Sequence, residues 1–251
     1  MIKSRGIPAR FRLAEELRRN RVNEHTGPMN LLSLMFREVR NDLNISSLFW
    51  NNRLSQYVKD PRNNVVQTSR GKSTERSNLN RELAKQEMTL HNFIRGMRVI
   101  RPINLKFILL LEHRDGTRTS HIDEIDEEDL YTEYHNEKYP TRYNVLHRLF
   151  SDIKRQIIKD EADWAERVNR YVNDPLNGFV ERNRQSTERS NLNRGIRNAD
   201  MSIKVFTKAL KVIDPLRVYL MLELTFPDDV VTFHEVRMDG RFLNVADDPD
   251  E

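Results

Sequence analysis

The sequence predicts an α+β fold built as an internal tandem duplication. Each unit is expected to hold two short helices, one long amphipathic helix and a β-hairpin, with the two units joined as a pseudo-dimer. Three observations carry this expectation. The nonapeptide Ser73–Arg81 recurs without change as Ser186–Arg194. Matching residues flank both copies at near-constant spacing. In each copy apolar residues step by four and three, the repeat of one helix face, before two strand-like runs around a turn.

At a spacing of 114, Asn30, Leu32, Phe36, Trp50, Arg53, Tyr57, Asp60, Pro61 and Asn63 return as Asn144, Leu146, Phe150, Trp164, Arg167, Tyr171, Asp174, Pro175 and Asn177. One residue is lost before the nonapeptide. Beyond it, at 113, Met88, Phe93, Pro102, Thr119 and His121 return as Met201, Phe206, Pro215, Thr232 and His234. The units are therefore 29–126 and 143–238. They are flanked by a basic arm (1–28), an acidic linker (127–142) and an acidic tail (239–251), of which Ala246–Glu251 is expected to lack fixed structure. Two long copies make a duplicated domain rather than a solenoid, which needs three or more short repeats. Core positions drift between the copies, Val39 against Ile153 and Met97 against Leu210, while the polar nonapeptide does not.

In the arm, Pro8 suits the first turn of a short helix with Phe11, Leu13 and Leu17 on its apolar side. The first helix of each unit follows from Leu32, Phe36, Val39 and Leu43, and from Leu146, Phe150, Ile153 and Ile157, which share a face. A second helix carries Trp50, Leu54 and Tyr57, or Trp164, Val168 and Tyr171. The Asp60-Pro61 and Asp174-Pro175 pairs end it, because the residue before proline avoids helical dihedrals. The third, of about six turns, runs through Leu79, Leu83, Gln86, Leu90, Phe93, Met97 and Ile100. Its copy runs through Leu192, Ile196, Ala199, Ile203, Phe206, Leu210 and Ile213. Pro102 and Pro215 stop these helices. A hairpin then turns at Asp115-Gly116, and its copy at Pro227-Asp228-Asp229. The first strand is apolar on both faces, so burial on both sides is expected. The linker carries Tyr131, Tyr134 and Tyr139.

Composition removes several classes of function. The 251 residues include no cysteine, which excludes disulfides, thiolate zinc sites, iron–sulfur clusters and a cysteine nucleophile. No run approaches the roughly 20 apolar residues of a membrane span, and the N-terminus lacks the apolar core of a signal peptide. An intracellular (cytoplasmic) or virus-associated setting is expected. Only eight glycines are present, and no phosphate-binding glycine loop, nucleophile elbow or metalloprotease helix occurs. The paired histidines His121 and His234 lack common neighbours at ligand spacing and are expected to be structural. The acidic run 123–129 lacks the glycine and ordered spacing of a calcium loop. No enzyme, cofactor or metal is expected.

Charge concentrates in patches. Residues 1–22 hold seven basic and two acidic side chains, and residues 112–138 hold three basic and ten acidic. Around the nonapeptides, Arg62, Arg70, Lys72, Arg76 and Arg81 face only Glu75, and five arginines of 181–197 face Glu181 and Glu188. Arginine suits planar recognition of phosphate or carboxylate. If the nonapeptide opens the long helix, Ser73, Thr74 or Ser77 caps it, and free N–H groups add to an anion site. The candidate site residues are Arg70, Lys72, Arg76, Ser77, Asn80 and Arg81 in the first unit, and Arg184, Arg189, Ser190, Asn193 and Arg194 in the second. The alternative is a plain helix cap kept by duplication. The expected function is non-enzymatic nucleic-acid binding, to DNA or RNA, through two pseudo-symmetric arginine surfaces. The alternative is a structural or assembly protein, a viral particle component or adaptor, in which the peptides dock on an acidic protein surface and the chain forms a homo-oligomer.

Overall fold

The computed structural model describes residues 29–132, 144–179 and 181–243. The expectations for the arm 1–28, for Tyr134 and Tyr139, and for the tail beyond 243 fall outside these residues. The described chain is mixed α+β, with helices packed on a four-stranded antiparallel sheet.

Each half opens with an asparagine. Asn30 caps α1 (Leu31–Asp42) by accepting from the Ser33 amide, and Asn144 caps α6 (Val145–Ile157) through the His147 amide. Next come α2 (Ser47–Tyr57) and α7 (Glu161–Asn173). Each is followed by a 3-10 turn, Pro61–Asn63 or Pro175–Asn177, where the repeated aspartate caps a proline start. Trp50, Tyr57, Trp164 and Tyr171 are buried, and Trp50 and Trp164 meet Phe36 and Phe150 edge-on.

The long third helix is broken in both halves. In the first it is α3 (Ser69–Leu83) and α4 (Leu90–Ile100); in the second it is α8 (Arg182–Arg197) and α9 (Ile203–Ile213). The break has local causes. Thr89 and Ser202 cap the later helices by accepting from the Asn92 and Val205 amides. The asparagine caps bind the gap carbonyls: the Asn30 amide donates to Gln86 O and its side chain to Met88 O, while Asn144 does the same to Ala199 O and Met201 O. The four–three spacing runs across the gap because Leu90 and Ile203 re-enter the core at the next turn. Helices α4 and α9 end where Arg101 and Asp214 turn left-handed, at φ 65° and 58°, just before the prolines.

Strands β1 (Asn104–Glu112), β2 (Arg118–Asp126), β3 (Arg217–Thr225) and β4 (Val231–Asp239) lie in the order β2-β1-β3-β4. The registers correspond: Leu109 pairs with His121 in one hairpin and Leu222 with His234 in the other. Between the hairpins β1 pairs antiparallel with β3, and Ile108 sits opposite Met221. The Asp115-Gly116 turn is longer than the expected two residues. The His113 amide bonds Thr117 O and the Gly116 amide bonds His113 O, with Gly116 at φ 82°. Asp229, at φ 58°, takes the glycine's place in the second turn.

Leu105, Phe107, Leu109 and Leu111 of β1 and Val218, Leu220, Leu222 and Leu224 of β3 are buried on one face. Phe93 of α4 meets Phe107 there, 6.0 Å between ring centres. On the other face Ile108 and Leu110 are buried too, as the doubly apolar run predicts, while Ile122 and Val231 on the edge strands are exposed. The first helix of each half crosses to the far hairpin: α1 packs on β4 and α6 on β2. Order continues for a few residues past each hairpin. The acidic linker begins as a short helix, α5 (Glu127–Tyr131), and the tail begins as a 3-10 turn, Gly240–Leu243. Leu130 and Leu243 are both fully buried and anchor these ends, a signal hidden in the acidic composition.

Candidate nucleic-acid interface

The nonapeptides lie inside α3 and α8 rather than at their starts. Thr68, five residues before Ser73, caps α3, and Glu181 precedes α8 without a side-chain cap bond. Ser73, Thr74 and Ser77 therefore cap nothing. Their amides lie within the helix, so the expected anion site built from free N–H groups at the nonapeptide is overturned. The helix starts earlier because Thr68, not the serines, supplies the acceptor for the first-turn amides, here that of Gly71.

One side of each peptide is occupied by its own half. Leu79 and Leu192 are buried in the core. The Trp50 indole donates to Asn80 Oδ1 at 2.9 Å, and the Trp164 indole to Asn193 Oδ1 at 3.0 Å. Tyr57 and Tyr171 donate to Glu75 and Glu188 at 3.3 and 3.2 Å. Glu75 also pairs with Arg95, and Glu188 with Lys208. Burial raises the Tyr57 phenol above its ordinary value, against the pull of Arg95. Asn80 and Asn193 thus serve the fold through their oxygens and keep only their amide nitrogens for a ligand.

The opposite side is exposed. Residues four and three apart share a helix face, which places Arg70, Thr74, Ser77 and Arg81 on one outward stripe. All four are exposed. The second half repeats it as Thr187, Ser190 and Arg194, with Asn183 where Arg70 stands. Arg81 donates to Asn78 at 3.3 Å and Arg194 to Asn191 at 2.9 Å, so each arginine is braced by the asparagine one turn back. Arg76 leans along the flank towards Ser55, at 3.4 Å, and Arg189 is likewise exposed. Five residues on a helix turn through about 140°, which is why Arg76 and Arg81 take different sides. Lys72 is half-buried, and Arg184 stands 4.0 Å from Glu181. Such exposed pairs are worth at most about 1 kcal/mol, so these cations are held loosely.

Part of the acidic run is matched inside the chain. Glu127 pairs with Arg62 at 2.9 Å and Asp123 with Arg148 at 2.8 Å. The two repeated histidines are buried and bridge the halves. His121 Nδ1 lies 2.8 Å from Asp152 of α6, and His234 Nδ1 lies 2.8 Å from Asp42 of α1. Their Nε2 atoms meet Thr119 and Thr232 at 3.1 and 2.9 Å. The two aspartates are not repeat-equivalent: by the 114 spacing Asp152 matches Glu38, and Asp42 matches Gln156. Burial pushes the His121 imidazole below the ordinary histidine value, and the Asp152 bond only partly opposes this.

The sequence reading missed a cleft of about 680 Å³ beside α3 in the first half, walled by Asn63, Val65, Asn78, His91 and Arg95. One signal pointed there. Positions 91, 95 and 98 are basic or histidine, and their matches 204, 208 and 211 are all lysine. Comparison with protein-family models, with curated proteins and with solved structures gave no match. Among the described residues, no helix is long and apolar enough to cross a membrane.

Proposed function

We propose that this chain is a non-enzymatic nucleic-acid-binding protein, an internally duplicated pseudo-dimer that contacts phosphates through the outward stripes of α3 and α8. One observation carries the reading. The exposed residues of the nonapeptide are as unchanged between the halves as the buried ones, although packing constrains only the latter. On the outer sheet face, by contrast, the exposed Ile122 stands against Glu235 at the equivalent position. A braced arginine beside two hydroxyls, presented twice, is suited to phosphate oxygens. Repetition within one chain raises affinity by keeping the second contact at high effective concentration.

The test is fluorescence anisotropy with labelled DNA and RNA across a salt series. Binding is expected to fall steeply with salt, roughly a thousandfold between 50 and 200 mM if about six phosphates are contacted. Arg81→Ala and Arg194→Ala should each weaken binding tenfold or more, at about 1.5–3 kcal/mol per charge-assisted bond, and each should lower the salt slope by about one. Thermal unfolding should be unchanged. Absence of binding at low salt would refute the proposal. It would favour the assembly reading, a particle component or adaptor, which draws on the exposed Ile122 and Val231 of the outer sheet face.

A further inference from the structure

We propose that the cleft beside α3 in the first half takes one unpaired nucleotide of the bound strand, its base inside and its phosphate at Arg70; this rests on the nucleic-acid reading above. The cavity, about 680 Å³, is of the size usual for small-ligand sites, and Arg70 stands on its wall. Arg70 is exposed and has no ion-pair partner among the described residues, and it heads the outward stripe that ends at Arg81. A bound backbone following the stripe therefore passes the cleft.

The walls have the chemistry of a base site. Val65 and Val66 offer an apolar surface for a ring face, while Asn63, Asn78 and His91 set polar side chains along the wall. Unpaired bases are read in this way, by stacking on flat groups and by hydrogen bonds along their edges. The Arg95 guanidinium is such a flat group and is held still by Glu75, Tyr57 and Asn92. Asn63 donates its amide to Tyr57 O, but its Oδ1 is buried and has no hydrogen-bond partner among the described residues.

The second half is built differently at the same place. Asn64 and Gly178 correspond, each left-handed after the 3-10 turn, so Phe179 stands where Val65 does. Its ring packs edge-on against Tyr171, 5.7 Å between centres, with the Lys208 ammonium 5.9 Å away. Phenylalanine thus fills there the space that valine leaves open, and the proposal concerns the first half alone.

The experiment measures binding of the full chain to a labelled single strand and to its duplex at one salt concentration, as DNA and as RNA. The wild-type chain should prefer the single strand by about tenfold, the size of one stacked base. Val65→Phe, which copies the second half, should bring single-strand binding down to the duplex level and leave duplex affinity and salt slope unchanged. His91→Ala should reduce the single-strand preference at least threefold, and it decides the matter if Val65→Phe fails to fold by circular dichroism. Equal binding of both forms by the wild-type chain, or a preference that survives the deciding variant, overturns the cleft and leaves the arginine stripes standing. Failure of both forms to bind at low salt overturns both.

Discussion

Asn80 and Asn193 are the residues whose role the bare sequence showed only in part. They sit in an unchanged polar peptide among arginines and serines, and composition alone groups them with the ligand-facing side chains. Their oxygens instead satisfy two buried indole N–H groups. Asn80→Ala and Asn193→Ala should therefore each cost about 1–3 kcal/mol by leaving an indole donor unpaired, measured as a lower urea midpoint with an unchanged slope. A loss of nucleic-acid affinity without loss of stability would contradict this. The same scale holds a pH effect. His121 is fully buried and faces Asp152 from α6, with Thr119 and His113 beside it and Arg155 on the far side of the aspartate. Its folded value is depressed, so between about pH 6.5 and that lower value the unfolded chain binds more protons. Its contribution is fully present above pH 6.5 and is lost as pH falls through that window. Urea midpoints from pH 7.5 to 5 should decline, and His121→Gln should flatten the decline in part. Burial also depresses His113 and His147, so some slope should remain. The structural reading of His121 and His234 was accessible from their mismatched neighbours; the aspartates they meet were not, because they come from the other half at non-equivalent positions.

At the scale of elements, the sequence located nearly every helix and strand and failed at one kind of junction. Periodicity marks which residues face the core, and it is blind to a short gap that returns the chain to the core in phase. Gln86, exposed in the middle of an apolar series, was the one mark of the break. The gap's carbonyls are taken by Asn30, more than fifty residues earlier, and no local pattern announces such a partner. The cap that starts α4 is local, and it gives a test. Thr89→Ala should destabilise the fold by about 1 kcal/mol, and Thr89→Ser should recover most of it, since either hydroxyl accepts from the Asn92 amide. Equal stability of all three chains by chemical denaturation would mean that the break is fixed by Asn30 and Ser33, which bind the gap's backbone, and not by the cap. The misplaced start of α3 has the same origin. Thr68 and Ser73 are both acceptable caps by residue type, and only the course of the loop from the 3-10 turn selects the first.

At the scale of the whole molecule, the halves are joined by more than the central strand pair. Helix α1 leaves its own hairpin to lie on β4, α6 leaves its own to lie on β2, and each crossing is pinned by a buried histidine–aspartate contact. Separating the halves would remove the crossing helix from each hairpin, unpair the edges of β1 and β3, and expose the apolar sides of α1 and α6. A two-stranded hairpin is marginal in water unless further strands or a packed helix support it, and separation removes both the strand partner and the crossing helix. We therefore expect the boundaries read from the repeat, 29–126 and 143–238, to mark units of sequence rather than units of stability. The expectation is that residues 29–132 and residues 144–243, produced separately, each lack a cooperative thermal transition as monomers. Mixed at micromolar concentration they should regain one, together with the mass of a one-to-one complex by light scattering. Each half alone should also form weak like-with-like pairs at higher concentration, because the β1–β3 pairing is antiparallel and the hairpin registers correspond. A half that unfolds cooperatively as a monomer would show that the crossings are incidental. In that case the two arginine stripes would sit on independent bodies, and the effect of losing both Arg81 and Arg194 on nucleic-acid affinity would be only additive.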